Sequence, residues 1–356
     1  MKLVFVTQTL DPSHPALAQT IDLASALAER VEELAVVTRD ADWQAPRNAS
    51  VRLFDARSRV GRVAAFEHAV LRATDDADAV LVHMVPQFAL LAAPIARARR
   101  VPLLLWYTHW HASHALRLAS RVVDAALSVD TTSYPVPTRR LRAIGHAVDV
   151  ERFDAPPVAP HDGPLKLLAL GRTARWKGLA TLLDAVELST ADVRLEIRGP
   201  SLTPDEVAHR AELVARADGT RVRVLDAVPR GDVPALLARV DAVVSPNEPR
   251  SGATLDKAVY EAAACRRPVV STNLSFAPLL GGLPVELLAP PRDARALAER
   301  LDALARAPHA ERVAMGEELR RRVVDGHSLA HWADAVCRVA AEVGSARGTA
   351  GSRRSG

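Results

Sequence analysis

Two cations stand five residues apart, Arg172 and Lys177, in the segment GRTARWKG (171–178), directly after the apolar run LKLLAL (165–170). A pair of cations at the mouth of a strand, followed by the free amides of a helix start, makes a site for a diphosphate. The plainer reading is two solvated cations on a loop; the position behind a strand favours the site. A second segment, SGATLDKAVYEAAACRRPVV (251–270), places small residues ahead of a helical pattern, so that backbone amides can approach an anion closely. Asp256 and Glu261 lie near Lys257 in that pattern. A carboxylate there can accept two hydrogen bonds from ribose hydroxyls, or can simply pair with a lysine along the helix.

These segments need a scaffold that brings strand ends together. The 356 residues suffice for two cores, and a 49% hydrophobic, 25% charged composition is that of a globular protein. The net charge of +4 is small and scattered. A cluster at Arg320, Arg321 and Arg322 reads as a solvated helix face, with attraction to phosphates or anionic lipid as the sharper alternative. No nucleic-acid module is recognisable. Cys265 and Cys337 have neither disulfide-framework nor zinc spacing and read as buried thiols in a reducing compartment. No apolar run reaches membrane-spanning length, and MKLVFVTQTL enters a strand without a basic leader. The expected location is the cytoplasm, with peripheral contact at the inner membrane face left open.

Short apolar runs alternate with amphipathic helices throughout. LVFVT (3–7), LAVVT (34–38), VRLF (51–54), AVLVH (79–83), VPLLLWY (101–107) and AALSV (125–129) form a first set. After a proline-rich stretch (151–166) the rhythm restarts with LKLLAL (165–170), VRLEI (193–197), RVRVL (221–225), DAVVS (241–245) and PVVST (268–272). Continuous rather than alternating apolarity marks parallel strands covered by helices on both faces. The expected fold is α/β, two Rossmann-like domains: residues 1–155 and 163–326, then a helix over 327–343 that packs back on the first domain. The small, charged residues 344–356 read as a disordered tail.

Four segments carry a family resemblance: GHAVDVERF (145–153), GRTARWKG (171–178), DAVVSPNEPRSGATLDKAVYEAAACRRPVVSTN (241–273) and HSLAHWADAV (327–336). Their order and separations resemble the retaining glycosyltransferases of family 4, the group-1 type with the GT-B architecture. The resemblance covers the second half and its borders. It implies transfer of a sugar from a nucleoside-diphosphate sugar to an acceptor hydroxyl, a lipid-linked sugar, a polysaccharide or a small molecule. It further implies that Arg172 and Lys177 hold the donor diphosphate and act in catalysis. Gly171, Gly252, Ala253, Thr254 and Lys257 are then expected along the donor, with Glu261 on its ribose. LLLWYTHWHASH (103–114) looks like the stretch that carries an active-site histidine, here His109, beside His111 and His114.

The sequence departs from the family at three places. Ala253 stands where a first carboxylate precedes Glu261, Arg266 where glycine is frequent, and TQTLDPSHPA (7–16) lacks paired glycines. Loss of the first carboxylate bears on sugar recognition, and supports a non-catalytic nucleotide-sugar-binding protein as the rival. An epimerase or phosphorylase on the same fold is another. A nicotinamide-dependent dehydrogenase ranks last, because G-x-G-x-x-G occurs nowhere. No cofactor or metal is expected: Asp76 and Asp78 have metal-holding spacing but precede the strand AVLVH, at the wrong end for a site.

Overall fold

The computed structural model describes residues 1–14, 17–248 and 256–352. It divides into two compact units, Met1–Ala147 with Leu329–Gly356, and Val148–Ser328.

The first unit runs β1 (Lys2–Val6), α1 (Thr20–Ala28), β2 (Glu33–Thr38), β3 (Ala49–Leu53), α2 (Arg59–Ala73) and β4 (Ala79–His83). It continues with α3 (Pro86–Arg99), β5 (Leu103–Trp106), α4 (His114–Val122), β6 (Ala125–Ser128) and β7 (Leu141–Ala143). Its seven-stranded sheet has the order β3-β2-β1-β4-β5-β6-β7. All pairings are parallel; Leu3 to Val6 of β1 lie beside Leu34–Val37 of β2 on one side and Ala79–Val82 of β4 on the other. The central strands are buried on both faces, as their unbroken apolar runs require. Phe54, Phe66 and Phe88 meet at centroid distances of 5.0–5.3 Å under the β3 side of the sheet. Only β7, three residues after a proline-containing loop, escaped the strand reading.

The second unit runs β8 (Leu165–Leu170), α5 (Leu179–Leu188), β9 (Val193–Arg198), α6 (Pro204–Arg216), β10 (Val222–Leu225), α7 (Val233–Leu237) and β11 (Ala242–Ser245). Then come α8 (Lys257–Ala264), β12 (Val269–Ser271), α9 (Ala277–Leu280), α10 (Ala294–Arg306) and α11 (His309–His327). Its parallel sheet has the order β10-β9-β8-β11-β12. The unit begins at Val148, ahead of the proline-rich stretch, because that stretch is tied to its helices. Arg320 donates to the carbonyls of Val150 and Phe153, and Arg266 donates to the carbonyl of Ala155 at 2.8 Å and pairs with Asp154. Arg321 and Arg322 both pair with Glu318, and Arg322 also donates to the carbonyls of Leu279 and Gly281. Two of the three clustered arginines therefore act as carbonyl-bonding staples rather than as a solvated face.

The last helix, α12 (Leu329–Ser352), belongs to the first unit, where Trp332 packs edge-on to Trp106 at 5.7 Å. Its backbone continues through residues that composition assigned to the tail. Among the described residues no helix is long and apolar enough to cross a membrane.

Candidate functional site

In an open parallel sheet, ligands bind outside the carboxyl ends of the strands where the order reverses. In the second unit that point lies between β8 and β11. The loops leaving these strands are 171–178, the cationic segment singled out above, and the stretch beginning at Pro246, which comes ahead of the small-residue segment 251–270 in the chain.

A small open pocket lies there, lined among others by Gly171, Arg172, Lys177, Ser245, Pro246 and Asn247. Glycines permit the close approach of its walls. Gly178 has φ +65°, and a Cβ on it would stand 1.8 Å from the carbonyl oxygen of Pro246. A Cβ on Gly199, just past β9, would stand 1.7 Å from the carbonyl oxygen of Gly171. The loop is further fixed by Thr173, which is fully buried. Its hydroxyl donates to the Glu206 carbonyl at 3.1 Å and bonds Ser201, and its carbonyl lies 2.7 Å from His209 Nδ1.

Both cations of the pocket carry carboxylate partners. Arg172 pairs with Glu206, which also accepts the Leu202 N–H at 2.7 Å. Burial works to raise the Glu206 carboxyl, but the Leu202 amide and Arg172 outweigh it and hold the group below the usual carboxylate range. Lys177, only 9% exposed, sits in a 3-10 turn (Arg175–Lys177) with its ammonium 4.7 Å from the Trp176 ring centroid. It pairs with Asp256, and Asn247 Nδ2 donates to the same carboxylate at 2.5 Å. The Asn247 backbone is held in turn by Thr272, whose hydroxyl donates to its carbonyl at 2.8 Å.

Lys257 and Glu261 lie on α8, the helix that Asp256 opens, and face each other one turn apart at 4.0 Å. Gly252, Ala253 and Thr254 lie outside the described residues. His109 belongs to the first unit, three residues past β5. It is exposed, stacks on Trp110 at 5.3 Å, and accepts the His111 N–H on Nδ1 at 3.1 Å. Asp78 accepts the Lys2 N–H at 2.7 Å at the amino end of β1, so the Asp76–Asp78 turn anchors a strand start. Glu206, Asn247 and Ser245 were missed in the sequence. Glu206 sits 34 residues from its arginine, and nothing local marks it.

Two units of parallel α/β sheet, the second with a cation-lined pocket at its reversal point, define a protein of the GT-B class. Residues 164–307 match the family described as glycosyl transferases group 1, so the second unit is a glycosyltransferase domain of that type. The chain is similar in fold to HepE of Anabaena, whose structure is described in complex with UDP and glucose. That similarity has a TM-score of 0.73 at 17% identity, over 96% of this chain and 100% of the other. A glycosyltransferase from Rickettsia africae gives 0.76 at 14% identity, over 96% and 98%. Sucrose-phosphate synthase from Thermosynechococcus elongatus gives 0.70 at 17% identity, over 97% and 100%. No curated protein matches the chain in sequence.

Proposed function

We propose that this chain transfers a hexose from a nucleoside-diphosphate sugar to an acceptor hydroxyl with retention of anomeric configuration. The observation that carries the reading is the pocket between the ends of β8 and β11, where Arg172 and Lys177 converge beside Gly171. Similar folds are described with UDP and with UDP-glucose, which supports a nucleoside-diphosphate donor. In this reading Lys177 and Arg172 stabilise the charge that develops on the departing diphosphate, and a leaving phosphate oxygen takes the proton of the acceptor hydroxyl. Glu261 receives the donor ribose, and His109 assists at the reacting sugar. The charge is met by protein cations, so the scheme needs no metal. The acceptor is a lipid-linked sugar, a polysaccharide or a small molecule.

The test is a thermal-shift screen against UDP, GDP, ADP, CMP and dTDP and their sugar conjugates. A ligand that binds only the folded protein adds about 2.7 kcal/mol at roughly a hundred times its dissociation constant. A shift with one nucleoside diphosphate, lost in Lys177→Ala, is the expected result and identifies the base. No shift with any of them, in a folded sample, rejects the donor site.

A further inference from the structure

The partner of Lys177 is an unusual one for its position. Asp256 is the residue that opens α8, and an aspartate there ordinarily bonds the first amides of its helix. Ser58, Ser113, Thr203 and Asp293 do so at the starts of α2, α4, α6 and α10. Asp256 makes no such cap. Its carboxylate is turned instead to the Lys177 ammonium and the Asn247 amide.

The two charge pairs of the pocket are built differently. Arg172 is 42% exposed and has five N–H donors in a planar fork, so it can keep Glu206 and still meet an anion. The Lys177 side chain is 11% exposed, and its small ammonium is already engaged by a carboxylate. On the pocket wall beside it, the Ser245 hydroxyl is buried with no hydrogen-bond partner. Such a group points to a ligand oxygen. The pocket thus holds a waiting donor and a lysine whose charge is spoken for.

We propose that Asp256 is a resident counter-anion of the donor site. It keeps the buried Lys177 ammonium neutralised and oriented while the pocket is empty. An incoming diphosphate takes Lys177 by displacing it, and the carboxylate retakes the lysine as the diphosphate product leaves. Its net effect is to weaken diphosphate binding and so to favour product release, the step that limits turnover in many enzymes. The inference rests on the reading of this pocket as the diphosphate site. A purely structural Asp256 has the opposite signature: its loss would disorder Lys177 and weaken anion binding.

The experiment is calorimetric titration of inorganic pyrophosphate, which needs no knowledge of the nucleoside, into the full chain at fixed ionic strength. Wild type, Asp256→Asn, Asp256→Ser and Lys177→Ala are compared, with melting temperatures as a check on folding. Asn keeps the shape and an acceptor for Asn247; Ser removes the charge in a smaller side chain. Both are expected to bind pyrophosphate about tenfold more tightly than wild type, the size of one competing charge-assisted hydrogen bond. Unchanged or weaker binding in both, with Lys177→Ala weakened, overturns the counter-anion and leaves the diphosphate site standing. Wild-type affinity in Lys177→Ala overturns the diphosphate site and the counter-anion together.

Discussion

Arg172 illustrates how one side chain serves both structure and ligand. Its partner Glu206 is only 3% exposed, so removing the arginine strands a carboxylate in the loop wall. Arg172→Ala is therefore expected to lose transfer by on the order of 100-fold and also about 1–2 kcal/mol of stability, a figure held down by the arginine's own exposure. Adding Glu206→Gln should restore the melting temperature without restoring transfer. A double variant that recovers both would reduce Arg172 to a structural ion pair. His109 is exposed, and its ring meets Tyr107 edge-on and stacks on Trp110. His109→Ala should leave the melting temperature within about a degree or two and cut turnover more than donor affinity. Wild-type turnover in that variant removes His109 from the reaction.

At the scale of elements, the pocket depends on how closely the loop after β8 approaches the loop after β11. Gly178 is where they touch: it has positive φ, ends the 3-10 turn and opens α5. Gly178→Ala faces a carbonyl oxygen at 1.8 Å and a strained φ, so the two loops must part. The expected cost is more than about 2 kcal/mol, with loss of nucleotide binding beyond what stability explains. Alanine at Gly219, also at positive φ but with open space around its Cβ, is the control and should cost about 1 kcal/mol. Equal costs at the two positions would show that backbone strain, not the contact with Pro246, is what Gly178 avoids.

At the scale of the whole molecule, acid stability should be governed from the first sheet. His83 ends β4 at the reversal between β1 and β4, with Nδ1 3.2 Å from the Thr7 hydroxyl. Burial pushes its imidazole from the ordinary 6.5 down to about 4. Between these values the unfolded chain holds a proton that the folded chain refuses, so stability is complete above about pH 6.5 and is lost as pH falls toward 4. The full effect is roughly 3 kcal/mol. Urea midpoints measured from pH 7.5 to 5 should fall in the wild type and fall less in His83→Gln. Parallel curves for the two proteins would place the acid sensitivity elsewhere.

The parallel strands and their two-fold grouping were legible because most of the eleven runs are continuously apolar, as strands buried on both faces must be. The loop after β8 was legible for a related reason: a cation pair behind a strand is a local pattern. What local pattern cannot carry is pairing across distance. Lys177 and Asp256 are 79 residues apart, and Arg172 and Glu206 are 34 apart. Each pair meets only because β8, β9 and β11 are neighbours in the sheet and the glycines at 178 and 199 let their loops close up. The sequence alone therefore determined that a cationic loop faces the strand ends of a two-unit α/β protein. Tertiary structure decided that both cations are already paired with carboxylates, because the partners of a side chain are whatever neighbours the fold delivers, not the residues beside it in the chain.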